Sequence, residues 1–127
     1  MQNQKSAIGL DGNITAVLGY IIGIIALILV FIEKDNRFVR FHALQSVLWF
    51  AICIVGIIVV AIVGTILALV LSQVSGSLGT VAGLIVFLLY IGLFLVMWGG
   101  LIFGAIKAYG GSEFKLPVAG NLAQKWV

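Results

Sequence analysis

The segment SQVSGSLGT, residues 72–80, decides the fold because it interrupts a long stretch that has no Asp, Glu, Lys or Arg. That stretch runs from Phe41 to Ile106. As one α-helix it would be about 99 Å long, more than three times the thickness of the hydrocarbon core of a bilayer. The chain must therefore turn back, and residues 72–80 gather the Ser and Gly residues that form turns. This pattern predicts two membrane spans, over about 46–71 and about 81–106.

An apolar segment over about 14–32 precedes these spans and predicts a third. Its roughly 19 uncharged residues would form a helix about 28 Å long, close to the thickness of the hydrocarbon core. A cleaved signal peptide is the alternative interpretation. Such a peptide has basic residues before its apolar run and a small-residue cleavage site after it. Here the charged residues follow the run, at 33–37, so the segment is predicted to stay in the protein as the first span.

The amino-acid composition requires a lipid environment. Of the 127 residues, 63% are hydrophobic and only 9% are charged, whereas about 25% of the residues in a typical globular protein are charged. A soluble domain of this length cannot bury so much apolar surface. The predicted fold class is an all-α membrane protein. It has one membrane domain, residues 1–127, built as a bundle of three transmembrane helices.

The basic residues predict the orientation of the chain, because Lys and Arg are enriched on the cytoplasmic side of membrane proteins. Lys5 precedes the first predicted span. The six others follow the first or the third span: Lys34, Arg37, Arg40, Lys107, Lys115 and Lys125. With three spans, those six share one side, which predicts an N-terminus outside and a C-terminus in the cytoplasm.

The tail, residues 107–127, is too short and too polar to form another span. Gly110 and Gly111 are predicted to end the third helix, since glycine favours the left-handed conformation that follows a helix. Asn121 has Gln124 three residues later, a weak form of the capping box, and predicts a short helix over residues 122–127. Trp126 is expected among the lipid headgroups.

One polar face at the start of the second span is the strongest candidate for a functional site. Arg40 leads into it, and His42, Gln45 and Ser46 share a helix face by their i, i+3, i+4 spacing. Three interpretations compete: a proton relay through His42, a polar path for a solute, and a cluster of interhelical hydrogen bonds worth about 1 kcal/mol per contact. The sequence favours the third, because one histidine without a carboxylate makes a poor relay. Gln45 is predicted to contact either the cytoplasmic ends of the other spans or the tail, where residues 115–117 offer free backbone carbonyls.

Pairs of small residues four positions apart predict where helices approach each other closely. Gly19 and Gly23 form such a pair in the first predicted span, and Gly100 and Gly104 form one in the third. These pairs favour a packed bundle over three independent anchors.

Several classes of function find no support in the sequence. It has no nucleophile paired with a base, no phosphate loop and no metal-ligand spacing, and Cys53 is the only cysteine. The sequence therefore predicts no enzyme activity, no catalytic residue, no cofactor and no metal. It also lacks a basic stripe with aromatic platforms, so nucleic acid is not an expected partner. The expected partners are the lipid bilayer and either a second copy of the chain or another membrane protein.

Two polar motifs, FVRFHALQS at 38–46 and KAYGG with KLPVAGNLA at 107–123, carry a family resemblance. The chain resembles a prokaryotic family of small membrane proteins that is grouped with the Tic-twenty-type subunit of the chloroplast inner-envelope import translocon. Most prokaryotic members have no assigned role, whereas the plastid relatives are associated with protein import and are described with four spans. The resemblance implies a multi-pass protein of a prokaryotic cytoplasmic (inner) membrane.

The function expected from the residues and the resemblance together is action through protein or lipid contacts. The alternative is a translocon-like or small-solute channel subunit. Three helices are too few to enclose a polypeptide, so such a channel would require an oligomer.

Overall fold

The computed structural model describes residues 4–127, and these residues form six α-helices and one π-helical turn. The α-helices are α1 Gly12–Ile21, α2 Gly23–Ile32, α3 Arg37–Val59, α4 Thr65–Val74, α5 Gly76–Tyr109 and α6 Ala119–Trp126. The all-helical class predicted from the sequence is therefore confirmed for the described part of the chain.

The first apolar segment folds as a helical hairpin, α1 and α2, and not as one helix. The chain leaves the helical conformation at Ile22, whose φ is −118° and ψ is 94°. In a straight helix Gly19 and Leu29 would lie about 15 Å apart. Here a Cβ atom added to Gly19 would lie 3.6 Å from the Cβ of Ala26 and 3.9 Å from a methyl carbon of Leu29. The prediction of one continuous span over 14–32 is therefore wrong.

The ends of this hairpin lie side by side. The backbone N–H of Ala7 donates to the Glu33 carboxylate at 2.7 Å, although a straight helix would separate these residues by about 39 Å. The segment that precedes α1 therefore lies beside the segment that follows α2. This arrangement does not confirm the predicted topology, in which the first span carried the N-terminal segment to the side opposite the tail.

Two long helical segments follow the hairpin. Helix α3 continues through the π-helical turn, Val60–Gly64, into α4, so that Arg37–Val74 forms one segment of 38 residues. Helix α5 has 34 residues. Both are long and apolar enough to cross a membrane, and they contain the predicted spans at 46–71 and 81–106. The helical segments are longer than the predicted spans: α3 already begins at Arg37, and α5 runs from Gly76 to Tyr109.

The chain divides into two compact units, of which the second is Ile52–Met97. In this unit the two helical arms are joined at Ser75, whose backbone is extended. Glycines let the arms approach each other: a Cβ on Gly64 would lie only 2.8 Å from a methyl carbon of Val86. Within this unit only Cys53 and Met97 are buried. Most of its other large apolar side chains are exposed, as expected where lipid is the solvent.

The first unit comprises Met1–Ala51 and Trp98–Val127 and contains the hairpin, the start of α3, the end of α5 and the tail. Its apolar core joins Phe41 and Leu44 of α3 to Ala123 of α6. Most of the buried polar side chains also lie here. This unit therefore holds the candidate site.

The tail begins with a Schellman turn. Gly111 has a φ of +76°, and the N–H of Ser112 donates to the Lys107 carbonyl at 2.9 Å. The prediction that Gly110 and Gly111 end the third helix is confirmed. Helix α6 begins at Ala119, earlier than predicted, because a tight turn at Val118 starts it and Asn121 lies inside it.

Candidate functional site

Buried polar side chains from α1 and α3 meet the tail in one cluster of the first unit. Gln45 and His42 are fully buried, Ser46 and Tyr20 are 3% exposed, and all four lie in helices. Unpaired polar groups are costly in an apolar interior. The partners of each side chain therefore show what the cluster does.

Gln45 binds two segments of the chain with every part of its amide. Its Nε2 donates to the hydroxyl of Tyr20 at 2.7 Å and to the carbonyl of Phe114 at 3.0 Å. Its Oε1 accepts the backbone N–H of Leu116 at 2.9 Å. The contact between Gln45 and the tail that the sequence predicted is therefore present. We call this set of three hydrogen bonds the tail latch.

Gly120 completes the tail latch from the tail side. A Cβ atom at this position would lie 2.6 Å from the Gln45 Oε1 and 2.5 Å from the Cβ of Lys115. Only glycine therefore lets α6 lie so close to the amide of Gln45.

His42 lies among three aromatic rings, and its hydrogen bond with Tyr20 determines which ring nitrogen carries the proton. Its ring meets Phe38, Phe41 and Tyr20 edge to face, with centroids 4.5, 5.1 and 5.7 Å away. The Tyr20 hydroxyl accepts from Gln45, so its own proton is free to donate to His42 Nδ1 at 2.9 Å. The imidazole then carries its proton on Nε2, which is buried on the side of the Ser112 backbone and has no hydrogen bond of standard geometry. No carboxylate is among these neighbours.

Ser46 closes the end of α1. Its hydroxyl donates to the carbonyl of Gly19 at 2.9 Å. The last four carbonyls of a helix have no partner inside it. Ser46 therefore satisfies one of the backbone groups that the break at Ile22 leaves open.

Arg40 does not join the other three predicted residues. It lies on another face of α3, is half-buried, and its buried Nε has no hydrogen-bond partner among residues 4–127. The predicted polar face therefore consists of His42, Gln45 and Ser46, joined by Tyr20, which the sequence analysis missed. The sequence did not identify Tyr20 as a site residue, because an aromatic residue inside an apolar run normally contributes only to packing.

A second polar cluster, also missed, clasps the N-terminal segment. Glu33 is only 2% exposed, and its carboxylate accepts the N–H groups of Ala7 and Asn36 at 2.7 and 3.1 Å. Asn36 caps α3 through the N–H of Val39 at 3.3 Å and donates to the Gln4 carbonyl at 2.9 Å. An Asn directly before a helical pattern was the available signal, since Asn favours the N-cap position.

The predicted glycine contacts fall into two groups. Gly19 lies against Ala26, and Gly100 and Gly104 lie so close to the rings of Trp49 and Tyr20 that a Cβ would overlap them. Gly23 has no atom within 4 Å of an added Cβ. Close packing at Gly23 therefore stays a prediction, since no described residue lies within reach of an added Cβ there.

The polar groups of the site are engaged in hydrogen bonds within the chain. In the described chain no three His, Cys, Asp or Glu side chains come together in a group that could hold a metal ion. The amide of Gln45 and the hydroxyls of Tyr20 and Ser46 are all used in bonds within the chain. Such an arrangement joins segments and leaves no open polar path.

Sequence comparisons with known proteins match the chain to a family. The sequence model of the magnetosome magnetite crystal formation protein family matches residues 5–123. A UPF0132 membrane protein of Methanocaldococcus jannaschii is 36% identical over 123 residues, covering 96% of this chain and 94% of that protein. A second UPF0132 membrane protein of the same organism is 34% identical, covering 94% of this chain and 73% of its own length.

A third relative is a UPF0132 membrane protein of Archaeoglobus fulgidus. It is 30% identical, covering 91% of this chain and 94% of its own length. No solved structure matches the chain. The comparisons support the predicted resemblance to a family of prokaryotic membrane proteins. They give no support to the predicted resemblance to the Tic-twenty-type subunit.

Proposed function

The chain belongs to the magnetosome magnetite crystal formation protein family, and we propose that it is a multi-pass protein of a prokaryotic cytoplasmic membrane that acts through contacts and not through catalysis. Its archaeal relatives are named membrane proteins. Two helices have the length and composition of spans.

The proposed topology places both termini in the cytoplasm. The α1–α2 hairpin has arms of 10 residues, about 15 Å each, which reach halfway through the hydrocarbon core and return. The contact of Asn13 with the Tyr109 carbonyl, at 3.3 Å, supports the same side for the start of α1 and the end of α5. All 7 basic residues then share one side, and the positive-inside rule makes it the cytoplasmic one.

The function that the site supports best is a rigid platform at this membrane surface. The observation that carries it is the tail latch, in which one buried amide holds the backbone on both sides of Lys115. The lysines at 107, 115 and 125 are thereby presented in fixed positions. We propose that the platform rests on anionic lipid headgroups and offers its aqueous face to a second copy of the chain or another membrane protein.

Cutting the tail latch tests this proposal. Gln45→Leu removes the amide and keeps the bulk, and the loss of about 1–3 kcal/mol of hydrogen bonding should free the tail. Trypsin should then cleave after Lys115 in membrane vesicles about ten-fold faster. Gly120→Ala should do the same from the tail side, because its Cβ would displace Gln45 Oε1.

Gln73→Leu is the matched control, because Gln73 is exposed and its only side-chain bond, at 3.4 Å, is to Ser72. If Gln45→Leu leaves the tail protected while solute flux through proteoliposomes falls, the channel alternative is favoured over the platform. If Gln45→Leu alters neither the cleavage of the tail nor the solute flux, the tail latch has no role in either function.

A further inference from the structure

Two apolar cavities lie beneath the turn of the α1–α2 hairpin, both within the first unit. The larger has a volume of about 520 Å³ and runs from Gly23 and Ile24 of the hairpin to Phe50 of α3. The smaller has a volume of about 320 Å³ and extends along α5 to Ala105. The cavities share one wall, made by Tyr20, Ile21, Trp98 and Leu101.

Water is a poor occupant of these cavities. A buried water needs two to four polar partners. The polar side chains in the lining are Tyr20 and Ser46, apart from the Trp98 indole. The Tyr20 hydroxyl is bonded to Gln45 and His42, and the Ser46 hydroxyl is bonded to Gly19. Neither hydroxyl proton is therefore left for water, and two hydroxyl oxygens are too few polar partners to hold ordered water throughout cavities of this size, so hydrocarbon is the better occupant.

The mouth of the larger cavity opens toward apolar side chains that face outward. Ile24 is 67% exposed and Phe50 is 49% exposed. With arms of about 15 Å, the hairpin turns back inside the hydrocarbon core, so an occupant enters from the bilayer. A volume of several hundred Å³ is also typical of small-molecule sites.

We propose that these two cavities bind one membrane lipid that has two hydrocarbon chains, one chain on each side of the shared wall. Two adjacent apolar compartments with one common wall match the two chains of one such molecule. The site selects the chains and leaves the headgroup free, because the lining offers no charged group. The inference rests on the proposed membrane topology of the hairpin and does not depend on the tail latch.

Gly23 makes the test possible. It lines the larger cavity, and an added Cβ would meet no atom within 4 Å. Gly23→Leu therefore adds a bulky apolar side chain to the cavity lining, at a position where the first added carbon meets no other atom of the described chain. Gly92→Leu is the matched control, because Gly92 has equally open surroundings and lines neither cavity.

The experiment is native mass spectrometry of the delipidated full-length protein in detergent, after addition of dioleoyl phosphatidylglycerol, dioleoyl phosphatidylcholine or oleoyl lysophosphatidylglycerol. The wild-type protein and Gly92→Leu should each retain one two-chain lipid, about ten-fold more strongly than the one-chain lipid, because the second chain buries additional apolar surface. The two headgroups should be retained equally. Gly23→Leu should retain the two-chain lipids no better than the one-chain lipid.

Four results would overturn the proposal. The first is retention by Gly23→Leu equal to that of the wild-type protein. The second is loss of the lipid from Gly92→Leu as well, and the third is retention that follows headgroup charge instead of chain number. Circular dichroism of each variant verifies that the helices are intact, and thermal unfolding of Gly23→Leu without lipid should match that of the lipid-free wild-type protein. Wild-type protein that retains no lipid would equally refute the site.

Discussion

At the residue scale, the least favourable backbone conformation lies in the tail. Val118 has a φ of 63° and a ψ of −56°, and the N–H of Ala119 donates to the Pro117 carbonyl across it at 2.6 Å. This is a γ-turn of the rare, strained form, and a β-branched residue is poorly suited to it. The side chain is 59% exposed, so little packing compensates. The bonds of Gln45 to Phe114 and Leu116, together with α6, hold the turn from both sides.

We therefore expect Val118→Gly to stabilise the protein. Glycine adopts positive φ without steric cost, and such strain amounts to about 1–3 kcal/mol, part of which is offset by the greater freedom of glycine in the unfolded chain. The expected net gain is about 1 kcal/mol in the free energy of unfolding, measured by thermal unfolding in detergent. Ala119→Gly, one position away in ordinary helical backbone, should instead lower stability. A loss of stability in Val118→Gly would show that its side chain contributes more than its backbone costs.

At the scale of the elements, the end of α5 packs on α1 through glycine. A Cβ on Gly104 would lie 2.5 Å from a ring carbon of Tyr20, the residue that joins Gln45 to His42. Gly104→Ala should therefore destabilise the protein by about 1–3 kcal/mol through overpacking. Gly99→Ala, where an added Cβ meets nothing within 4 Å, is the matched control. Equal thermal unfolding of the two variants in detergent would mean that α5 moves away from Tyr20 at no cost.

The elements also show what sequence reasoning could and could not predict. The two long helices and the turn between them follow from length and charge alone, because 66 uncharged residues cannot fit one span. A partner for Gln45 in the tail or in another span followed from helical spacing and from the cost of a buried amide. The hairpin at Ile22 could not be predicted in this way, since hydropathy is the same for one helix of about 20 residues and for two of 10. What distinguishes them is tertiary packing at Gly19 and the clasp at Glu33.

At the scale of the whole molecule, the hairpin and a single first span make opposite predictions for the N-terminal segment. Single cysteines at Ile8, Ser75 and Ser112, in a Cys53→Ala background, test them with a membrane-impermeant thiol reagent. Positions 8 and 112 should label from the cytoplasmic side and position 75 from the opposite side. Labelling of positions 8 and 112 from opposite sides would restore the three-span topology and refute the hairpin.

The return of the chain at Ile22 has a consequence for how the protein enters a membrane during its synthesis. In the proposed topology the hairpin begins and ends on one side, so no charged residue would have to be carried across the bilayer: the acids and bases lie in residues 5–40 and 107–125. The translocated connection is the uncharged segment 72–80. A transmembrane voltage acts only on charge, so it supplies no work for moving this connection. Insertion of the newly made chain should therefore proceed at the same rate in energised vesicles and in vesicles collapsed by an ionophore.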